Sequence, residues 1–232
     1  MSDQSRDIAD VAPTALSHLI GNESVKAQVN VALESAFADS RKFDNAMLVG
    51  PPGLGKSALA AVIAHEMGMA DGFTEVLGQS VTGIGDLNAL LLGAVEKSVL
   101  HIDEPHELEK QLQTALYLAI DKLCVFAHMG KGGKPYPIPI ADFTLLFSTT
   151  DEFCVLHPLR DRMRLVLSFQ YLSPEDLTHV VRQRSHALRW VVDDEVFPQI
   201  AERAKGTPRL GLRLLQSSRR VARAEGETAI TA

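Results

Sequence analysis

The sequence predicts an α/β fold, a parallel sheet flanked by helices and followed by a small all-helical domain, on three observations. Short apolar or β-branched runs alternate with helical patterns up to about residue 170, the signature of a parallel sheet wrapped by helices. After Phe169 the runs stop and only helical patterns follow. Between the first run and the next helix stands Gly50-Pro51-Pro52-Gly53-Leu54-Gly55-Lys56-Ser57, which fits the phosphate-binding pattern G-x-x-x-x-G-K-S/T. Strand, glycine turn, helix is the context that pattern requires.

In chain order, residues 25–38 read as a helix and 46–49 as a short buried strand. Ala58, Leu59, Ala60, Val62, Ile63 and Ala64 mark a helix over 56–67 with a wide apolar face. Strands are expected at 73–77, 99–102, 144–148 and 165–169, with helices at 86–92 and 107–120. One segment breaks the alternation. Two extended runs flank a Gly/Lys turn within 123–140 and read as a β-hairpin, whose prolines make it a protruding, edge-like ribbon. By itself it is equally a surface hairpin without a role. Ser173-Pro174-Glu175-Asp176 is a strong helix start, with a Ser cap, Pro in the first turn and an acid at the third position. Helices follow at 174–187, 194–204 and 208–223; Pro198 fits only in a first turn. The organisation is therefore a polar segment 1–15, an α/β domain 16–170 carrying the hairpin, and a helical domain 171–232.

With 46% apolar residues the chain supports a proper core. Its formal net charge of −6 supplies no global basic field for nucleic acid, which counts modestly against autonomous DNA binding. No run approaches the roughly 18 apolar residues of a membrane span, and residues 1–10 lack a basic start and an apolar run, so the cytoplasm is the default compartment. Cys124 and Cys154 lack metal-ligand spacing and read as reduced, buried thiols. The eight histidines show no metal spacing either, and His101 inside a strand reads as a core residue.

The residue types explain the chemistry. Glycines let successive backbone N–H groups point at a triphosphate, Lys56 reaches the β and γ phosphates, and the Ser57 hydroxyl ligates magnesium. The helix that begins there places its positive end against the anion. Val99-Leu100-His101-Ile102-Asp103-Glu104 is an apolar strand ending in two acids: Asp103 to hold magnesium, Glu104 to orient or deprotonate the attacking water. Glu104 is also suited to starting the next helix, and the two roles are compatible. The run 144–150 ends in hydroxyls that can orient water. Arg160 and Arg162 suit a transferring phosphoryl group, yet taken alone they are more simply a surface ion-pair cluster.

Taken together, GPPGLGKS, HIDEPH, FTLLFSTT, HPLRDRMR and KGTPRLGLRLL resemble the AAA+ ATPases of the P-loop NTPase fold, and specifically the RuvB family of Holliday-junction branch-migration motors, over roughly residues 16–231. The resemblance implies ATP and Mg2+ as cofactors. It implies Gly53, Leu54, Gly55, Lys56, Ser57 and Ala58 as the phosphate cradle, with Ser57 and Asp103 on the metal. Lys56, Glu104, Thr150 as the first sensor, and Arg162 as an arginine finger acting on a neighbour's ATP would be catalytic. Arg209 would be the second sensor in the helical lid, and adenine would lie between Ile20 and Gly21 on one side and Tyr171 and Pro208 on the other. The family pattern further implies a hexameric ring of identical subunits and a RuvA-like partner docked on hairpin 123–140, with Ile138 and Ile140 at its tip or flank.

Several features depart from the family. The family's DNA-contacting winged-helix domain and the last helix of its lid are not among these 232 residues, as in a trimmed chain or a natural short form, so DNA contact would need that domain or a partner. Ala12-Pro13-Thr14-Ala15 replaces a basic lead-in to the adenine site, Pro105 follows the Walker B acid, and Phe147-Ser148 replaces two small residues. Arg209, Arg213, Arg219, Arg220 and Arg223 on the last helix read as a solvated face, with a motif behind Arg209 alone. Three readings result: an ATP-driven ring motor for DNA branch migration, an AAA+ regulator acting on a protein through the hairpin without touching DNA, or a non-enzymatic scaffold in which ATP only sets assembly.

Overall fold

The computed structural model describes residues 8, 11–128 and 135–231. Five parallel strands, β1 (Ala46–Val49), β2 (Phe73–Leu77), β3 (Val99–Asp103), β6 (Thr144–Thr149) and β7 (Leu165–Ser168), lie in the order β2-β3-β6-β1-β7. All five match the predicted runs to within a residue. Every residue of the central β6 is buried, whereas the edge strands β2 and β7 are largely open. Such near-continuous apolar strands are what a sheet covered on both faces demands.

The two faces have separate cores. Helices α1 (Glu23–Ala38) and α2 (Lys56–Glu66) close over Ala46, Leu48, Val99, Leu146 and Leu167. Helices α3 (Ile84–Gly93) and α4 (Lys110–Lys122) pack on the opposite face with Met47, Leu100, Ile102, Leu145 and Phe147. The odd–even split along each strand is the period-2 alternation of a pleated strand. A single-turn helix, α5 (His157–Arg160), precedes β7 and buries Leu159. Because β1 sits between β6 and β7, its following loop emerges in mid-sheet at the carboxyl ends of the strands. The Asp103–Glu104 end of β3 lies two strands away across β6, on that same edge, where open α/β sheets bind ligands.

The hairpin forms as expected from β4 (Cys124–His128) and β5 (Pro135–Pro139), antiparallel, with Val125 opposite Ile138. Its Gly/Lys turn at 129–134 lies outside the described residues. Ile138 and Ile140 are half-buried against the α3/α4 core rather than presented at a tip. The register of Ile138 with buried Val125 turns it toward the body; among the hairpin residues whose burial is described, Leu123, Phe126 and Tyr136 are 42%, 38% and 61% exposed.

Beyond the sheet, α6 (Pro174–Ala187), α7 (Val196–Arg203) and α8 (Pro208–Ala224) form a helical lid domain. Ser173 Oγ accepts the Asp176 N–H at 3.0 Å, so the predicted cap is present, and Pro198 falls in the first turn of α7. Val181, Phe197, Ile200 and Leu215 make the core of this part. One detail departs from an all-helical reading: β8 (Val191–Val192) pairs in parallel with β9 (Ala229–Ile230), which brings Ile230 into that core. Strands of two residues leave no periodic trace in a sequence. Trp190 packs in the same core, and Arg219 stacks on its ring at 4.7 Å, so this arginine of α8 is a packing residue rather than a solvated one.

The thiols are unpaired but not both buried. Cys154 is exposed and donates to Asp151 Oδ2 at 3.1 Å, and Cys124 is intermediate. Among the described residues no helix is long and apolar enough to cross a membrane.

Candidate nucleotide site

The glycine loop between β1 and α2 takes its shape from residues without side chains. Gly50, Gly53 and Gly55 all have positive φ. At Gly53 (φ +81) a Cβ would sit 2.9 Å from both Arg209 Cβ and Thr207 Cγ2, so the loop and the start of α8 approach as only glycine allows. The Arg209 N–H donates to Gly53 O at 3.2 Å across the same junction.

Lys56, the first residue of α2, is 7% exposed. Its ammonium donates to Gly50 O at 2.6 Å and Pro51 O at 3.0 Å, which holds the side chain back along the loop. Burial pushes its pKa down, while Glu104 and Asp103 oppose the shift. Asp103 moves the other way: burial raises its carboxyl, with Glu104 adding to the effect and His101 and Lys56 acting against it. A buried cation facing two carboxylates on a glycine-lined loop is an arrangement into which a magnesium-bound triphosphate fits, since it brings matching charges of both signs.

Glu104 is the strained residue of the site. It has φ +51, in the left-handed region that few non-glycine residues occupy. Its carboxylate accepts the Thr150 N–H at 3.1 Å and lies 3.3 Å from His106 Nδ1. Its backbone N–H donates to Ser148 O at 2.7 Å. The end of β3 is thereby tied to the end of β6. His106 also contacts Thr149 Oγ1 at 3.1 Å and so braces both strand ends.

Gly53, Leu54, Gly55, Lys56, Ser57, Ala58, Ile20, Asp103, Glu104, Pro208 and Arg209 all line one cavity of about 660 Å³. Four residues named from sequence do not. Gly21 (φ +75) is packed under Leu172, and Tyr171 covers Gly206, where a Cβ would lie 2.7 Å from Tyr171 Cβ. Neither lines the cavity. Thr150 bonds Glu104 from outside the cavity lining.

Arg162 is held elsewhere, gripping Asp121 of α4 with Nε 2.7 Å from Oδ1 and Nη2 on Oδ2, and lying over the Tyr117 ring at 4.9 Å. That carboxylate raises the guanidinium pKa, and Asp121 is lowered by Arg162 in return.

Sequence reasoning missed the lid wall. Val180, Gln183, Arg184 and Ala187 of α6 line the cavity at i, i+3, i+4 and i+7, one helical face whose spacing was available in the sequence. Gln183 Nε2 donates to His18 O at 3.1 Å and Arg184 Nη1 to Ile8 O at 2.9 Å. These bonds fasten the N-terminal segment as a further wall, including Val11 to Thr14. Burial lowers the Arg184 pKa.

A parallel sheet with a glycine loop running into a helix, paired acids on a neighbouring strand end and a helical lid touching the loop define a P-loop NTPase of the AAA+ class. Comparison narrows the class. The chain matches the Holliday junction DNA helicase RuvB P-loop domain over residues 11–169 and the RuvB AAA lid domain over 172–232. It belongs to the RuvB family. It is 36% identical over 221 residues to the Holliday junction branch migration complex subunit RuvB of Lactobacillus johnsonii, covering 94% of this chain and 65% of that protein. With the RuvB of Kosmotoga olearia it shares 35% over 216 residues, covering 92% and 63%. The chain thus spans a little under two thirds of these relatives. The Thermotoga maritima RuvB Holliday junction branch migration motor superposes with a TM-score of 0.82 at 30% identity, covering 94% of this chain and 68% of that one. A mutant of the same protein gives 0.84, covering 95% and 70%.

Proposed function

We propose that the chain is the ATPase part of a RuvB-type motor: it binds and hydrolyses ATP with Mg2+ in a ring of identical subunits, and the ring drives branch migration of Holliday-junction DNA with a RuvA-like partner. The observation that carries this reading is the cavity walled jointly by the glycine loop, Asp103–Glu104 and Pro208–Arg209. Ser57 and Asp103 would hold the metal, which takes few protein ligands and keeps several waters. Bound there, the metal would neutralise charge developing on the phosphates.

This chain's own residues supply the rest. Lys56 faces the phosphates from the loop. Glu104, oriented by the Thr150 N–H, is the base or water-positioning group, and Arg209 links the loop's state to the lid. Arg162 lies outside its own cavity, as a residue serving a neighbour's site would. Hydrolysis would then depend on assembly. The exposed Tyr136 and Phe126 of the hairpin support a protein partner there, and with the net charge of −6 they favour the second reading, a regulator acting through that hairpin without direct DNA binding.

Steady-state ATP turnover of the wild type and Glu104→Gln, with and without four-way junction DNA and RuvA, tests the proposal. Turnover lost on mutation and stimulated by junction DNA supports the motor. Turnover that responds to a hairpin-binding protein but never to DNA supports the regulator. Equal, negligible rates in both proteins remove the enzyme.

A further inference from the structure

Helix α4 turns one stripe of side chains toward the segment that carries the paired arginines. Gln113, Tyr117 and Asp121 follow one another at i, i+4 and i+8, on a single helical face. Two of them hold Arg162 itself, whose guanidinium grips Asp121 and lies 4.9 Å from the Tyr117 ring. The third, Gln113, is only 1% exposed, an uncommon place for an amide side chain.

Both ends of that amide are engaged. Gln113 Nε2 donates to Leu108 O at 2.9 Å, and Oε1 accepts the Leu156 N–H at 2.8 Å. A carbonyl only accepts and a backbone N–H only donates, so these partners admit one orientation of the amide. Leu108 closes the turn that follows Glu104: the Glu107 N–H donates to Glu104 O at 3.0 Å and the Leu108 N–H to Pro105 O at 3.2 Å. Leu156 caps α5, its carbonyl accepting from Leu159 and Arg160, and Leu159 O accepts the Arg162 N–H at 3.2 Å. One buried side chain thereby fixes the spacing between the connection behind Glu104 and the turn from which Arg162 projects.

We infer that Gln113 is a positioning residue for the arginine finger: it seats α5 on the β3–α4 connection and so sets where Arg162 stands for a neighbouring subunit. The inference rests on the proposed ring in which Arg162 serves the neighbour's ATP. Gln113 is not among the residues lining its own chain's nucleotide cavity, so its effect falls on the next site. Removing the amide leaves a carbonyl and an N–H without their partner, and groups so stranded move to recover one. For a group that must meet a transferring phosphoryl, a displacement of about 1 Å costs on the order of 10²-fold in rate.

ATP turnover and mant-ATPγS affinity of the 232-residue protein test this, in single variants and in mixed assemblies. Gln113→Met keeps the length of the side chain and makes neither bond. Leu156→Pro removes the same N–H from the other side and serves if methionine weakens the core; φ −56° at Leu156, with Val155 extended before it (φ −81°, ψ 137°), suits proline. Expected for either is a fall in turnover of about 10–100-fold, with nucleotide affinity within about twofold of wild type. Mixed with Glu104→Gln subunits, whose own sites lack the base but whose arginines are in place, Gln113→Met should regain turnover severalfold. Wild-type turnover in both variants, affinity lost in step with turnover, or no recovery in the mixed assemblies overturns the positioning role. If Arg162→Ala turns over as fast as wild type, the finger reading fails and this inference with it; an inactive Arg162→Ala beside a fully active Gln113→Met overturns the inference alone.

Discussion

The cavity wall and the Asp121–Arg162 corner handle charge in opposite ways. In the cavity, Lys56, Asp103, Glu104 and Arg209 face a common space, and burial moves the Lys56 and Asp103 pKa values toward their neutral forms. At the corner, Arg162 is satisfied by Asp121 and the Tyr117 ring at the surface, and its charge is reinforced. A group committed to its own chain's site is left facing that site. Were Arg162 to serve another subunit, as proposed above, Asp121 would be its resting partner within its own chain.

The largest effect expected under that comparison is in Arg162→Ala. Turnover should fall by about 10³-fold while nucleotide affinity stays within about twofold, the mark of an arginine finger. Mixing it with Lys56→Ala subunits should restore part of the activity; mixed assemblies that stay inactive would place Arg162 outside the neighbour's site. Next is Glu104→Gln, for which a loss of about 10²–10⁴ in turnover is expected with nucleotide still bound, read by turnover against mant-ATPγS affinity. Gly53→Ala sharpens the comparison from the lid side. Its Cβ would meet Arg209 and Thr207 at 2.9 Å in a left-handed conformation, so loop and lid must separate. A loss of about tenfold in nucleotide affinity is expected from strain of about 1–3 kcal/mol.

Smallest is Asp121→Asn. With side chains 28% and 40% exposed, the ion pair contributes less than about 1 kcal/mol, which urea unfolding would show. The sign with pH is definite. Arg162 holds the Asp121 pKa below its ordinary value, so the pair's contribution is full above the unfolded-state pKa and is lost as pH falls through the lowered value. The variant should be less stable than wild type near neutrality by that contribution, lack its acid dependence, and approach wild type as pH falls.

Much of the fold was legible because local pattern encodes it. Leu146 and Leu48 sit in apolar runs too short for helices, and Ser173-Pro174 announces α6. The phosphate loop was legible because every residue of it has a chemical reason. Which face Ile138 turns was not legible, because an apolar residue in a hairpin says nothing about that; the Val125 register decided it. Tyr171, expected at the adenine wall, lies against Gly206 outside the cavity lining and is 60% exposed.

By itself, then, the sequence determined the alternation of strands and helices, the loop from Gly50 to Ser57, the acids ending β3 and the helical character of the chain beyond residue 170. Each is a property of neighbouring residues, set by pleat, helical period and turn chemistry. Tertiary structure alone decided that α6 closes the cavity, that Glu104 rests on Thr150, that Asp121 holds Arg162, and that His101 links Glu75 to Ser148. Those partners are 26 to 47 residues apart within the sheet and up to 176 at the lid, and parallel register and helix docking bring them together.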